Sequence, residues 1–232
     1  MERYLTPIAV LVGAAIIGAA FIFGHGAATQ PSTNPTQPAT TAKVDIKNVK
    51  TDVGDPFIGD PNAPVIMALW FDYQCPFCKQ LDTNVMPQLY DQYVKTGKLK
   101  IVFKDFQFLG NDSNTDAEFA RAVWEAYPDH FYDWYEAMFV AQDQEGDQGF
   151  GNLDSVVAMT KAKVPAIDTA KITALITTNK AKYDAAIAAD RDEGQTFGIN
   201  GTPSFIIGTT NLSGAQPLTA IAPLIDAQLN QK

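Results

Sequence analysis

The segment from Pro64 to Phe71 is a continuous apolar run of the length of a β-strand. Such a run is typical of a strand that is buried on both faces. A helical pattern follows closely, with apolar side chains at every fourth position, namely Leu81, Val85, Leu89 and Tyr93. Pro87 lies inside this pattern and should kink the helix. Residues 99–106 then alternate as a second strand does, so we expect a βαβ unit with a parallel strand pair and an α/β fold.

The rest of the chain resumes this unit after a long helical segment. Helical patterns lie near 115–127, 130–142, 152–162 and 167–196, and a strand pattern returns at 204–207. Gly208 and Gly214 indicate a hairpin, and a last amphipathic helix covers 217–230. We therefore expect a first part of the α/β domain at 44–110, a helical insert at 111–198 and a second part of the domain at 199–232.

The first 43 residues have a different composition. Leu5 to Phe23 are uncharged and, at about 1.5 Å per residue, long enough to cross a bilayer. We expect residues 1–24 to form an uncleaved transmembrane anchor, with a cleaved signal peptide as the alternative. Arg3 favours a cytoplasmic N-terminus and places the folded domain outside the cytoplasm. Residues 25–43 are rich in Pro, Thr, Gln and Ala, which predicts a disordered linker.

The charge and the cysteine count exclude several classes of protein. The net charge of −9 and the pI near 4.6 argue against nucleic acid as a partner, because phosphate binding requires a basic surface. The segment 111–198 carries all of this net negative charge, because acidic and basic residues balance in the rest of the chain. The chain has two cysteines, three positions apart, whereas a structural disulfide framework has more pairs at wider spacing.

The motif Cys75-Pro76-Phe77-Cys78 lies where the first strand passes into the helix. Pro76 suits the first helical position, which makes Cys75 the N-cap residue and exposes its sulfur to free N–H groups and the helix dipole. A thiolate there has a lowered pKa and is both a good nucleophile and a good leaving group. Cys78, one turn on, is the expected resolving cysteine. The alternatives are half of a zinc site, which needs two further ligands, and a purely structural disulfide.

A second motif, Gly201-Thr202-Pro203, leads into the strand at 204–207. With the cysteine pair it carries a resemblance to the thioredoxin superfamily and, within it, to the DsbA-like oxidoreductases. The stretches that carry it are Phe71–Lys79 and Phe197–Phe205, with looser matches at Gly59–Pro64 and Ala120–Phe139.

The resemblance covers residues 55 to 230 and implies a thioredoxin-like fold whose helical domain would be the insert. It also implies that the Thr202–Pro203 bond is cis and faces Cys75. An extended substrate can add as a strand to such a loop, which also fills space where a metal would otherwise bind the thiolates.

The chain departs from the family's pattern at two positions. Phe77 stands where strongly oxidising relatives often have histidine, so the redox poise is open, and an exposed Phe77 would contact apolar segments of unfolded proteins. Leu69 stands where many relatives carry a buried acid, six residues before the first cysteine. Asp72 and Asp105, at the ends of adjacent strands, are our candidates for accepting the proton of Cys78, with capping or turn roles as the alternative.

These features together predict an extracytoplasmic thiol–disulfide oxidoreductase that oxidises cysteine pairs of exported proteins, with a monomeric catalytic domain. The redox group would be the Cys75–Cys78 disulfide, with no organic cofactor and no metal. The resemblance implies that a quinone-linked membrane enzyme of the DsbB or vitamin K epoxide reductase kind restores the disulfide. A reductase or isomerase with the same site is the first alternative, and a non-catalytic peptide-binding module is the second.

Overall fold

The computed structural model describes residues 44–51, 54–143 and 147–230, which are built around a five-stranded sheet. The strands are β1 (Phe57–Ile58), β2 (Val65–Phe71), β3 (Leu99–Asp105), β4 (Ser204–Ile207) and β5 (Thr210–Ser213). Their order is β1-β3-β2-β4-β5, in which β2 and β3 are parallel and all other pairs are antiparallel. The predicted parallel pair and the hairpin are confirmed, whereas the two-residue β1 has no counterpart in the sequence analysis.

The central strand β2 is covered on both faces, as its apolar run predicts. Leu69 and Phe71 belong to the larger apolar cluster, which the helices complete. Ala68 and Trp70 point the other way, into a second cluster with Phe197. The end of β2 is thereby fixed in the interior, and the cysteine motif starts from a rigid position.

The helix after β2 is interrupted earlier than the sequence predicts. Helix α1 (Pro76–Asn84) ends at Val85, and it is followed by α2 (Met86–Leu89) and a π-helical turn (Tyr90–Val94). Val85 has φ −120° and ψ −40°, outside helical values. Pro87 explains the offset, because a proline ring clashes with the carbonyl four residues before it and so disturbs the preceding turn.

Four long helices lie between β3 and β4, namely α3 (Asn111–Ala126), α4 (Phe131–Ala141), α5 (Leu153–Lys163) and α6 (Thr169–Thr196). Their order confirms the predicted helical patterns, although α3 starts four residues before the expected 115. The Asp147 carboxylate accepts the Asp112 N–H at 2.9 Å and extends the first turn of α3. Short 3-10 helices cover Ile46–Asn48 and Pro128–His130, and α7 (Leu218–Leu229) ends the described chain. The division into domain parts at 110 and 198 stays a prediction.

Aromatic side chains of α4 attach this helical segment to the sheet. The Tyr135 ring lies 4.5 Å from the Phe103 ring and 5.6 Å from the Phe71 ring, centroid to centroid. Phe131 contacts Phe103 at 5.6 Å, and Phe139 contacts Phe71 at 6.2 Å. Phe131, Tyr135 and Phe139 are therefore core residues that join α4 to the sheet.

A buried ion network joins β3 to α3 and α6 on the other side. Arg121 pairs with Asp105 at 2.7 Å and with Asp55 at 2.8 Å, and it also contacts Asp190. Lys104, 1% exposed, pairs with Asp190 at 2.8 Å and also contacts Asp55. Such a network is costly to break, since each remaining partner would be a buried charge without its counter-ion.

The predicted anchor at 1–24 and linker at 25–43 lie outside the described residues. Within 44–51, 54–143 and 147–230, no helix has the length and apolar character needed to cross a bilayer.

Candidate active site

Cys75 lies at the N-terminus of α1, as the sequence predicts. It is the N-cap residue with φ −79° and ψ 121°, and Pro76 begins the helix. A tight connection holds it there: the Asp72 carbonyl accepts the Cys75 N–H at 3.1 Å, and the Asp72 carboxylate accepts the Gln74 N–H at 2.9 Å. The Cys75 side chain makes no capping hydrogen bond by the usual geometry, but the N–H groups of Phe77 and Cys78 lie near its sulfur and help to lower its pKa.

The Pro203 loop closes over this sulfur. The Thr202–Pro203 peptide bond is cis, which confirms the expectation. The Cys75 thiol donates to the Thr202 carbonyl oxygen at 3.4 Å, so the two motifs, far apart in sequence, meet in the fold. The Thr202 hydroxyl is buried, and no hydrogen-bond partner lies within bonding distance of it in the described part of the chain.

The pKa of Cys75 is lowered from 9.0 to about 6. The largest cause is the hydrogen bond that the Cys78 thiol donates to the Cys75 sulfur, and the Thr202 hydroxyl and the N–H groups of Cys78 and Phe77 add to it. Burial opposes this shift but does not cancel it. Cys75 is therefore a thiolate at neutral pH.

Cys78 has the opposite character. Burial raises the pKa of its thiol well above 9.0, and the nearby Cys75 sulfur raises the pKa further. Both cysteines are free in the structure. Both residues are buried, each 3% exposed, so the two cysteines differ in their pKa: the Cys75 sulfur is ionised and nucleophilic, whereas the Cys78 thiol keeps its proton.

A family model described as "Thioredoxin" matches residues 51–227. The chain belongs to the thioredoxin family.

Its relatives in this family include the disulfide bond formation protein D of Bacillus subtilis (strain 168). That protein is 26% identical over 180 residues, which are 77% of this chain and 79% of the relative. A probable disulfide bond formation protein D of Bacillus cereus is 26% identical over 150 residues, which are 65% of this chain and 68% of the relative.

Two solved structures show the same fold. The crystal structure of oxidised BdbD from Bacillus subtilis has a TM-score of 0.69 at 23% identity and covers 83% of this chain and 98% of its own. The thiol–disulfide exchange protein alpha-DsbA2 of Wolbachia pipientis has a TM-score of 0.66 at 28% identity and covers 76% and 88%. The predicted thioredoxin-like α/β fold, the DsbA-like resemblance and the assignment as a thiol–disulfide oxidoreductase are confirmed.

The redox group of a thioredoxin-family oxidoreductase is its cysteine pair, here Cys75 and Cys78. Among the described residues, no group of three or more His, Cys, Asp and Glu side chains could hold a metal ion. The Thr202 carbonyl oxygen lies 3.4 Å from the Cys75 sulfur, which a metal would need as a ligand.

The two candidate proton acceptors have other partners in the structure. The Asp72 carboxylate is buried, and its oxygens accept the N–H groups of Gln74 at 2.9 Å and Phe108 at 3.1 Å. The Asp105 carboxylate accepts from Arg121 at 2.7 Å and from the Gln107 side chain at 3.1 Å. The contacts of Asp72 correspond to its alternative role of turn capping. Asp105 forms an ion pair, which the sequence analysis did not predict. Proton relay by either residue stays a prediction.

The residues around the sulfurs divide into exposed and anchored ones. The Phe77 side chain is 60% exposed beside the cysteines, as expected. Lys79 is anchored: its ammonium group donates a hydrogen bond to the Gln142 carbonyl.

Gln142 is a site residue that the sequence analysis missed. It follows α4, is buried, and donates from its side-chain nitrogen to the Tyr73 carbonyl and to the Cys75 carbonyl, the latter at 3.1 Å. It holds the turn that carries Cys75. No local pattern indicates such a contact, because 67 positions separate Gln142 from Cys75.

Proposed function

We propose that this chain oxidises cysteine pairs of exported proteins by disulfide exchange at Cys75 and Cys78, outside the cytoplasm. The relatives named disulfide bond formation protein D support this direction of reaction. The observation that carries the proposal is the acidic Cys75 beside the buried Cys78.

The acidity of Cys75 favours oxidation of substrates because it stabilises the reduced form of the enzyme. With a Cys75 pKa of about 6 instead of 9.0, the dithiol form gains about 1.4 kcal/mol at pH 7. For a two-electron couple this raises the reduction potential by about 30 mV. The Cys75–Cys78 disulfide is thereby a stronger oxidant than it would be if Cys75 had the pKa of an ordinary thiol.

The reaction starts when a substrate thiolate attacks the Cys75 sulfur of the Cys75–Cys78 disulfide. The bond between substrate sulfur and Cys75 forms, and the Cys78 sulfur leaves with the electron pair and takes up a proton. The second substrate thiolate then attacks the substrate's own sulfur in the mixed disulfide, and Cys75 leaves as a stable thiolate. The substrate now has a disulfide, and the enzyme has taken up two electrons, so that Cys75 and Cys78 are both reduced.

The Pro203 loop and Phe77 would hold the substrate during these steps. The loop meets the Cys75 sulfur, so an extended substrate segment that pairs with its backbone would bring its cysteine to the site. The exposed Phe77 ring would contact apolar side chains of a chain that is not yet folded.

The location and the reoxidation of the enzyme complete the proposal. The apolar segment within residues 1–24 would anchor the domain, and residues 25–43 would let it move near the membrane. A quinone-linked membrane enzyme of the DsbB or vitamin K epoxide reductase kind would accept the two electrons.

A redox titration of the cysteine pair against glutathione tests the direction. A potential more oxidising than the glutathione couple supports an oxidase, whereas a strongly reducing value supports a reductase and overturns the proposal. Cys78→Ala should also accumulate mixed disulfides between Cys75 and exported proteins, visible on non-reducing gels and absent in the matched double variant Cys75→Ser/Cys78→Ala. A lack of adducts would indicate a non-catalytic binding module.

A further inference from the structure

The turn that presents Cys75 is anchored to α3 by a buried hydrogen bond. The Gln74 side-chain nitrogen donates to the carboxyl oxygen Oδ2 of Asp116 at 2.6 Å, across 42 positions of the chain. Asp116 is 0% exposed and Gln74 is 1% exposed. Gln74 directly precedes Cys75, the reactive group of the proposed function, on which this inference rests.

The second oxygen of each of these two side chains lacks a donor. No hydrogen bond reaches Oδ1 of Asp116 or Oε1 of Gln74 from any residue that the structure describes, and both atoms are buried. While Asp116 is ionised, each of these oxygens can only accept. A buried acceptor without a donor is destabilising, so two of them on one hydrogen-bonded pair call for an explanation.

Asp116 also lacks the contacts that stabilise a buried carboxylate. Asp72, the other buried acid at this turn, accepts a backbone N–H at each of its two oxygens. Asp116 pairs with no cation within the described part of the chain, and the charged groups that act on it are the acids Asp72 and Asp112. Tyr73 also interacts with it, and burial raises the pKa of that hydroxyl well above 10.0, so it stays neutral. An ionised Asp116 would therefore be a buried charge without a counter-ion.

We propose that Asp116 is a positioning residue that holds the Cys75 turn as an uncharged carboxylic acid. Its O–H group donates to Oε1 of Gln74 while its other oxygen accepts from the Gln74 nitrogen, so the acid and the amide are joined by two hydrogen bonds. Each of the two unpaired oxygens then has a partner. The turn is anchored without a negative charge beside Cys75, where such a charge would oppose formation of the thiolate.

The surroundings of the pair suit this arrangement. Burial raises the pKa of Asp116 well above 3.8 against the lowering effect of the Gln74 hydrogen bond, and the nearby acids Asp72 and Asp112 raise the pKa further. Gly151 leaves room for the amide, since a Cβ atom at that position would lie 2.2 Å from the Gln74 side-chain nitrogen. Asp116 therefore keeps its proton at neutral pH.

The charge of Asp116 is measured by infrared difference spectroscopy between the wild type and Asp116→Asn at pH 7. We expect the difference to contain the C=O band of a protonated carboxylic acid. Asp91→Asn, the same change at an exposed acid that pairs with Lys95, should give the bands of a carboxylate. Carboxylate bands from Asp116 would overturn the inference.

The effect on Cys75 is measured as the midpoint of its thiolate titration in a set of isosteric variants. Asp116→Asn keeps an uncharged pair with two hydrogen bonds, so the midpoint should stay near the wild-type value of about 6. Gln74→Glu makes a pair of two acids that share one proton, and the remaining negative charge should raise the midpoint by about one pH unit. The exchanged pair Gln74→Glu/Asp116→Asn is uncharged again and should return the midpoint to the wild-type value.

The exchanged pair separates this role from a purely structural one. A structural role alone would change the denaturant midpoints of the variants and leave the thiolate midpoint where it is. An exchanged pair that titrates like Gln74→Glu would contradict the proposal, because its acid would then be charged. A Gln74→Glu midpoint equal to that of the wild type would also contradict it, because the charge of the pair would then not affect Cys75.

Should the variants fail to fold, NMR of the Asp116 carboxyl carbon in the wild type decides the question. A carbon that keeps the chemical shift of an acid through neutral pH supports the inference, and a midpoint near about 4, as in an ordinary aspartate, overturns it. The direction of disulfide exchange does not enter these measurements. A strongly reducing potential in the glutathione titration would overturn the proposed function and leave this inference standing, whereas an oxidising potential with an ionised Asp116 would do the reverse.

Discussion

Replacing Thr202 by valine removes one hydroxyl from beside the Cys75 sulfur and keeps the shape of the side chain. That hydroxyl is buried, has no hydrogen-bond partner within bonding distance in the described chain, and lies near enough to the Cys75 sulfur to contribute to lowering its pKa. The backbone carbonyl of Thr202, which contacts the sulfur at 3.4 Å, remains in place. The variant therefore isolates the contribution of a single donor.

The size of the effect follows from the energy of one hydrogen bond. A bond to a charged group is worth about 1.5–3 kcal/mol, and about 1.4 kcal/mol corresponds to one pH unit in a pKa. Taking the lower end, the pKa of Cys75 should rise from about 6 to about 7. The thiolate fraction at pH 7 would fall from about 90% to about half, and the reduction potential would fall by about 20 mV.

The assay is the rate of Cys75 alkylation by iodoacetamide as a function of pH, with the modified cysteine identified by mass spectrometry. The midpoint of the profile should move upward in Thr202→Val, and the glutathione titration should give a lower potential. Thr210→Val, a substitution in β5, should change neither value. An unchanged midpoint in Thr202→Val would refute the idea that this hydroxyl stabilises the thiolate.

Three other predictions concern the stability of the folded protein. Gln142→Ala should lower the free energy of unfolding in denaturant by about 1–3 kcal/mol and slow disulfide exchange, because the buried Tyr73 carbonyl loses its side-chain donor and the Cys75 carbonyl keeps only the Lys79 N–H. Gln88→Ala on the surface should do neither. Arg121→Met should cost about 3–5 kcal/mol in the same experiment, since Asp105 loses its counter-ion and Asp55 and Asp190 keep only Lys104. A cost as small as that of breaking an exposed surface pair would contradict the proposed strength of the buried network. The pKa of Cys75 is lower in the folded protein than in the unfolded chain, so ionisation of Cys75 stabilises the folded, reduced form. This stabilisation is fully present above about pH 9 and is lost as the pH falls through about 6. Comparing denaturant unfolding of the reduced and oxidised forms across this range checks the sign.

The fold and the reactive cysteines could be predicted because their signals are local. The apolar run of β2, the cysteine motif and the proline after Thr202 each occupy a few adjacent positions, and each has a direct physical meaning. The break at Val85 shows where such reasoning loses precision, since the effect of Pro87 reaches back into the preceding turn. Strand β1 has two residues and gives no periodic pattern at all.

The contacts that tune the site could not be predicted, because they join distant parts of the chain. Gln142 reaches the Cys75 carbonyl across 67 positions, and Arg121 reaches Asp55 across 66.

The pH titration of the Cys75 thiolate in the reduced protein tests the central claim most directly. Ultraviolet absorbance of the thiolate follows it in the wild type, and Cys75→Ser provides the blank. The arrangement at the start of α1 predicts a midpoint near pH 6, where Cys75→Ser shows no change. A midpoint near 9.0, the value of an ordinary thiol, would contradict the account.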